Sequence, residues 1–147
     1  MDGLLRDILK DKGAAMFTTT PQATVVDAVD EMNRRHVGAL VVLDGARTIG
    51  IITERDVLKR VVGARRDPAT TKVSEVMTRE VVAVKPTIRV QDAMAVMTDK
   101  HCRHLPVLDG AQLLGLISIG DLTAWVGRNN EVEIQQLVDY VVGKYPA

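Results

Sequence analysis

The chain is poor in the residues that several classes of function require. It has one cysteine, Cys102, so it can close no internal disulfide, which fits a reducing compartment. Its aromatics are Phe17, Trp125, Tyr140 and Tyr145, too few for the stacking platform of a single-strand nucleic-acid binder. Neither sign of charge is in excess: 19 basic residues face 19 acidic ones. This excludes the basic footprint expected for nucleic acid or an anionic membrane surface. No apolar run approaches the roughly 18–20 residues of a membrane span, and Met1–Gly13 has no signal-peptide core. A cytoplasmic protein is expected. Three scattered histidines and one cysteine lack metal-ligand spacing, so no metal site is expected. No nucleophile, base and orienting group stand in a recognisable set, so no catalytic residue is assigned.

What the chain does have is itself, twice. Pro21–Val62 overlays Pro86–Gly127 without a gap at a shift of 65 positions. Pro21, Asp27, Met32, His36, Leu40, Val42, Asp44, Gly45, Gly50 and Asp56 each meet the same residue type in the second copy. A fixed-period repeat is one supersecondary unit used twice. A unit this short rarely buries enough apolar surface alone, so the two copies are expected to fold against each other. A ligand is expected where they meet, or in two related clefts.

Each copy has the same punctuation. Val25, Ala28, Val29 and Met32 form a helical stripe, and Thr24-x-x-Asp27 is a capping box at its start. Val90, Ala93, Met94 and Met97 repeat the stripe. The apolar runs Ala39–Leu43 and Leu105–Leu108 lead into Asp44-Gly45 and Asp109-Gly110, a hairpin signal, with return strands Thr48–Ile52 and Leu113–Ile117. Helices are then expected over Thr53–Val62 and Ser118–Val126. Leu4, Leu5, Ile8 and Leu9 mark a short amphipathic helix that Gly13 ends. Val73–Met77 is the counterpart of Leu5–Leu9. His36 and His101 end their helices. Trp125 is expected in the core, and Cys102 as a small buried apolar side chain. The tail carries Val132, Ile134, Leu137, Val138, Val141 and Val142 at helical spacing.

The predicted architecture is α+β: two strand–helix–strand–strand–helix repeats about a pseudo-twofold axis, plus a C-terminal amphipathic helix. The expected divisions are 4–63 for the first repeat, 64–72 for a linker, 73–128 for the second repeat and 129–147 for the terminal helix.

Ahead of each last helix stand Gly50-Ile-Ile-Thr-Glu-Arg-Asp56 and Gly115-Leu-Ile-Ser-Ile-Gly-Asp121. Glycine, two aliphatics, Thr or Ser, two variable residues and Asp, after an Asp-Gly hairpin, closely resemble the CBS domain, whose tandem pair forms a Bateman module. The resemblance runs from about Leu4 to Gly127. It implies a non-catalytic regulatory module that binds an adenine nucleotide or related molecule. AMP is the first candidate, ATP, ADP or NAD(H) the next, with no obligatory cofactor.

The residues themselves say how such a ligand would be held. Thr53 and Ser118 sit at helix N-termini, where free N–H groups favour an anion. Asp56 and Asp121 lie one turn in, and an ionised carboxylate can accept both hydrogens of a ribose diol. Yet Thr-x-x-Asp and Ser-x-x-Asp are also capping boxes, and an Asp that caps its own helix is less free for a sugar. Ile52, Ile117, Val107 and Met77 are candidates to sandwich the ring. His101-Cys102-Arg103-His104-Leu105-Pro106-Val107 resembles the CBS segment whose basic residues reach a phosphate. There Arg103 offers a donor fork, and His104 adds charge below about pH 6.5. The first copy has Gly38 and Ala39 instead, so the clefts are not equivalent, and the other cleft must use Arg55 or Lys12. By the same resemblance Thr78, Pro106 and Gly120 join the nucleotide-binding set.

A homodimer and an unidentified regulated protein are the expected partners, with neither nucleic acid nor membrane. The alternatives are an interaction scaffold with vestigial clefts and an S-adenosylmethionine sensor. An enzyme such as inosine-monophosphate dehydrogenase, in which CBS pairs also occur, would need a catalytic barrel of about 250 residues of its own.

Overall fold

The computed structural model describes residues 3–13 and 16–128; the predicted tail helix lies outside them. Its elements are α1 (Leu5–Lys12), β1 (Thr18–Thr19), α2 (Val25–Arg35), β2 (Ala39–Asp44), β3 (Arg47–Thr53), α3 (Glu54–Asp56), α4 (Val73–Val76), α5 (Val90–Lys100), β4 (His104–Asp109), β5 (Gln112–Ser118) and α6 (Ile119–Arg128). α3 continues as π-helix over Val57–Val62, where an α-helix is expected from the sequence. The Gly63 N–H reaches back to Leu58 O at 2.8 Å, and Arg60 donates to the carbonyls of Val76 and Met77 at the end of α4.

The repeat is visible bond by bond. β2 pairs antiparallel with β3, and β4 with β5, each with a register shift at the same place, after Val42 and after Val107. Gly45 and Gly110 open the hairpin turns at φ 63° and 59°, a backbone region that Gly enters without strain. β1 adds to β2 in parallel. In the second copy that strand shrinks to a bridge between Val84 and Val107. His36 and His101 close α2 and α5 in the left-handed conformation, their N–H groups on Met32 O and Met97 O.

Period-2 alternation splits each strand between two cores. Leu40, Val42 and Ile52 point to one core, where they meet Val25, Ala28 and Met32 of α2. Leu105, Val107 and Ile117 do the same against Val90, Ala93 and Met97 of α5. Ala39, Val41 and Ile51 face the other way and pack on Leu113 and Leu116, joining the two repeats. Strands buried on both faces read as continuous apolar runs.

The arms are exchanged. α1 precedes the first repeat in the chain, but Leu5 and Ile8 lie in the core of the second. Val73 and Val76 of α4 lie in the core of the first. The bonds match at every step. Leu5 N–H donates to Ile88 O and Arg6 N–H to Pro86 O, as Val73 N–H does to Ala23 O and Ser74 N–H to Pro21 O. The cores therefore do not follow the division of the chain into 4–63 and 73–128. Gly50 and Gly115 let the arms cross: a Cβ on Gly50 would sit 2.7 Å from Met77 Sδ, and one on Gly115 would sit 2.7 Å from Leu9 Cδ2. The glycines ahead of the Thr/Ser motif thus give room to protein. Residues 64–72 are tied down at their end, where Thr71 is buried and its hydroxyl donates to Asp67 O at 2.7 Å.

Candidate functional site

An open cavity of about 720 Å³ lies between the repeats. The first repeat contributes Thr53, Asp56, Arg55 and Lys59 from the β3–α3 corner and the helix after it. The second contributes Lys100, His101, Cys102, Arg103 and His104 from the end of α5 and the start of β4. Thr78, Val81, Val82, Ile51 and Pro106 complete the wall. Thr53, Arg55, Asp56, Thr78, Arg103, His104 and Pro106 are thus gathered in one place, although Arg103 is 47 positions from Asp56 in the chain. The Arg55 guanidinium reaches His101 O at 3.3 Å, spanning the two repeats.

All four ring contacts expected from the sequence lie outside the cavity wall. Ile52, Ile117 and Val107 are fully buried in the two cores, and Met77 is buried against the first core and Gly50. The reason is register: side chains alternate along a strand, so it is Ile51, one residue before Ile52, that faces the cavity. Lys59 was also missed. It falls four residues after Arg55, one helical turn along the same face.

The motif carboxylates do cap their helices. Asp56 Oδ2 accepts Thr53 N–H at 3.0 Å and the Thr53 hydroxyl at 3.3 Å. Asp56 N–H returns to Thr53 Oγ1. Asp56 Oδ1 accepts the Thr78 hydroxyl at 2.9 Å, and the side chain is nearly enclosed. Asp121 Oδ2 accepts Ser118 N–H at 2.8 Å, and Asp121 N–H donates to Ser118 Oγ.

Asp121, Ser118 and Gly120 do not line this cavity; they stand at the positions that match Asp56, Thr53 and Arg55 by the 65-residue shift, where the sequence places the other cleft. Of the two cations offered for it, Arg55 lines the Asp56 cavity, because α3 carries it on the same turn as Asp56. Lys12 is the one at Asp121, at 2.9 Å. Gly120 stands at the position matching Arg55 and adds no charge.

Burial holds the His104 imidazole below its ordinary pKa. Lys12 and Arg103 push in the same direction, against Glu54 and Asp121. Charge on His104 therefore arrives at lower pH than the 6.5 expected from the sequence. The unfolded chain binds this proton more readily, so stability is complete above pH 6.5 and declines as pH falls through the lowered pKa. His104→Gln is expected to flatten that part of the acid limb, measured by urea unfolding at a series of pH values. Cys102 is half-buried and lines the cavity, and burial pushes its thiol pKa up. Trp125 packs on the second core as expected; its Nε1 has no partner among the described residues.

A family model for the CBS domain matches residues 5–63 and again 73–128. The chain belongs to the CBS-domain family. CBS pairs are generally regulatory and often bind adenine nucleotides. A mitochondrial CBS domain-containing protein of Arabidopsis thaliana, CBSX3, is 37% identical over 96% of this chain and 73% of its own. A solved protein with CBS domains from Burkholderia ambifaria superposes with a TM-score of 0.80 at 44% identity, over 84% of this chain and 93% of that one. A hexameric CBS-CP12 protein from bloom-forming cyanobacteria reaches 0.74 at 26% identity, over 99% of this chain and 87% of that one. No helix among the described residues of this CBS protein is long and apolar enough to cross a membrane.

Proposed function

We propose that this CBS pair is a non-catalytic sensor that holds one adenine nucleotide in the Asp56 cavity. The observation that carries this reading is the make-up of the wall. Ile51, Val81, Val82 and Pro106 offer an apolar surface for a ring. Arg55 and Lys59 from one repeat and Lys100 and Arg103 from the other offer fixed positive charge. Between them Asp56, Thr53 and Thr78 form a hydroxyl-and-carboxylate floor for a sugar. Because the two repeats supply different parts, a bound nucleotide favours the arrangement that brings them together, and its differential affinity is the signal.

Four cations are more than one phosphate needs. Of the three acids in the wall, Glu54, Asp56 and Glu80, Asp56 is engaged in its cap, and Glu54 turns over Gly38, whose Cβ would sit 2.8 Å from Glu54 Oε1. We therefore expect ATP and ADP to bind more tightly than AMP, and AMP more tightly than adenosine. S-adenosylmethionine, which has no phosphate, gains least from these groups.

Thermal unfolding with this panel tests the reading. A ligand at 100 times its Kd adds about 2.7 kcal/mol. No shift with any adenine compound overturns the proposal and favours a scaffold with empty clefts. Arg103→Ala is expected to cost ATP and AMP about tenfold or more, the scale of a charged hydrogen bond at about 1.5–3 kcal/mol, with adenosine nearly unchanged. Equal loss for adenosine in calorimetric titration removes Arg103 from the phosphate site.

Self-association is proposed through the helix beside the cavity. Leu58 and Val62 are 65% and 64% exposed there, while the matching positions of the second copy hold Thr123 and Gly127. Leu58→Asp is expected to lower the mass found by sedimentation equilibrium; an unchanged mass excludes this face.

A further inference from the structure

We infer that Lys12, together with Phe17, closes the second cleft from within, so that Lys12 sets the number of nucleotides the chain takes. The comparison between the two clefts is direct. In the first, the crossing arm turns extended at Met77, and Thr78 meets β3. Thr78 N–H donates to Ile51 O at 2.8 Å and its hydroxyl to Asp56 at 2.9 Å. In the second, α1 continues for another turn past Leu9. The Lys12 ammonium takes both of the matching acceptors, Leu116 O at 2.8 Å and Asp121 Oδ2 at 2.9 Å.

The contacts then run on across the cleft. Lys12 Nζ lies 4.7 Å from the centre of the Phe17 ring, and the Arg35 guanidinium lies 4.6 Å from the same ring. Phe17 and Arg35 stand 65 positions before Val82 and Lys100, both of which line the open cavity. Positions that are separate parts of a wall in one cleft are thus joined in the other, from Asp121 at the floor to Arg35 at the lip. A cation over an aromatic face is attractive, and the ammonium sits on Asp121 Oδ2, the oxygen that also accepts Ser118 N–H.

Lys12 is held in this position by its helix. Leu5 and Ile8 are buried, Leu9 sits over Gly115, and Asp11 pairs with Arg128 at 2.8 Å. The inference rests on the proposed reading that the clefts of this chain take a nucleotide.

The test is a count. The wild-type chain and the double variant Lys12→Ala, Phe17→Val are titrated with ATP by native mass spectrometry and calorimetry. Trp125 emission checks that the second repeat stays folded. The double variant is expected to take one more ATP per chain than the wild type. Adding Asp121→Ala is expected to abolish that extra binding. Equal counts overturn the inference, whether they are zero, one or two.

A measurement on the unmodified chain covers the case of a misfolded variant. Under lysine acylation, saturating ATP is expected to leave Lys12 labelling unchanged, and an ATP-dependent change at Lys12 overturns the closed cleft. Protection of Lys59 and Lys100 reports separately on the Asp56 cavity. Its absence counts against the nucleotide reading without touching the count of added sites.

Discussion

Leu5→Ala is expected to lower the unfolding free energy by about 2–5 kcal/mol, the range for emptying a buried leucine site. The residue stands in a short helix of eight residues. Its side chain, however, has no exposure and sits among Val90, Ala93, Leu105, Ile117 and Leu122 of the second repeat. A change of this size is large against a total of about 5–15 kcal/mol. It moves the unfolding midpoint down by several degrees at about 2–4 °C per kcal/mol for a chain of this length. The single tryptophan makes the exchange of arms directly testable, because Trp125 packs on that same second core. Emission from Trp125 is expected to report the loss, with calorimetry giving its size. A variant that unfolds at the wild-type midpoint shows that α1 does not belong to that core.

Asp56→Ala is expected to act twice. It removes the acceptor for Thr53 N–H, the Thr53 hydroxyl and the Thr78 hydroxyl from a side chain that is almost fully enclosed. Leaving such donors without a partner costs about 1–3 kcal/mol, and the loss of an N-terminal cap alone costs about 1 kcal/mol. It also strips the floor of the cavity, so ATP affinity is expected to fall at least tenfold, by the scale of a charged hydrogen bond. Asp56→Asn separates the two effects. The amide keeps one carbonyl acceptor, so much of the stability is expected to return, while the charge that would hold a sugar diol does not. Urea unfolding and calorimetric titration of both variants give the two numbers independently. Restored stability with unchanged ATP affinity in the Asn variant leaves Asp56 a purely capping role.

The motif residues were legible because two patterns coincide in them. Glycine, two aliphatics, Thr or Ser and Asp recur at a fixed shift, and each element of the pattern has a local cause: a strand, a cap, a turn. Thr53 and Asp56, and Ser118 and Asp121, are therefore found as capping pairs where the spacing places them. The aromatic-poor cavity wall was foreseen as aliphatic, but by the wrong members. Ile51 and Ile52 are equally apolar, and only the direction in which β3 faces the second repeat decides which one meets the cavity. Lys59 and Lys100 carried no signal in the chain. Each reads as an ordinary surface lysine until the fold sets one repeat beside the other.

Short-range chemistry was sufficient for the repeat, its hairpins, its caps and its helices other than the π-helical turn at Val57–Val62, because those features depend on neighbours within a few residues. Pairing over long distances in the chain was not written in any local pattern. The tertiary structure decided that α1 crosses to the second core and α4 to the first, since the apolar character of Leu5 and Val73 does not by itself name a core. The same crossing makes two nearly identical motifs unequal. One arm turns extended at Met77 and presents a small neutral hydroxyl to Asp56, while the other stays helical long enough to lay an ammonium on Asp121.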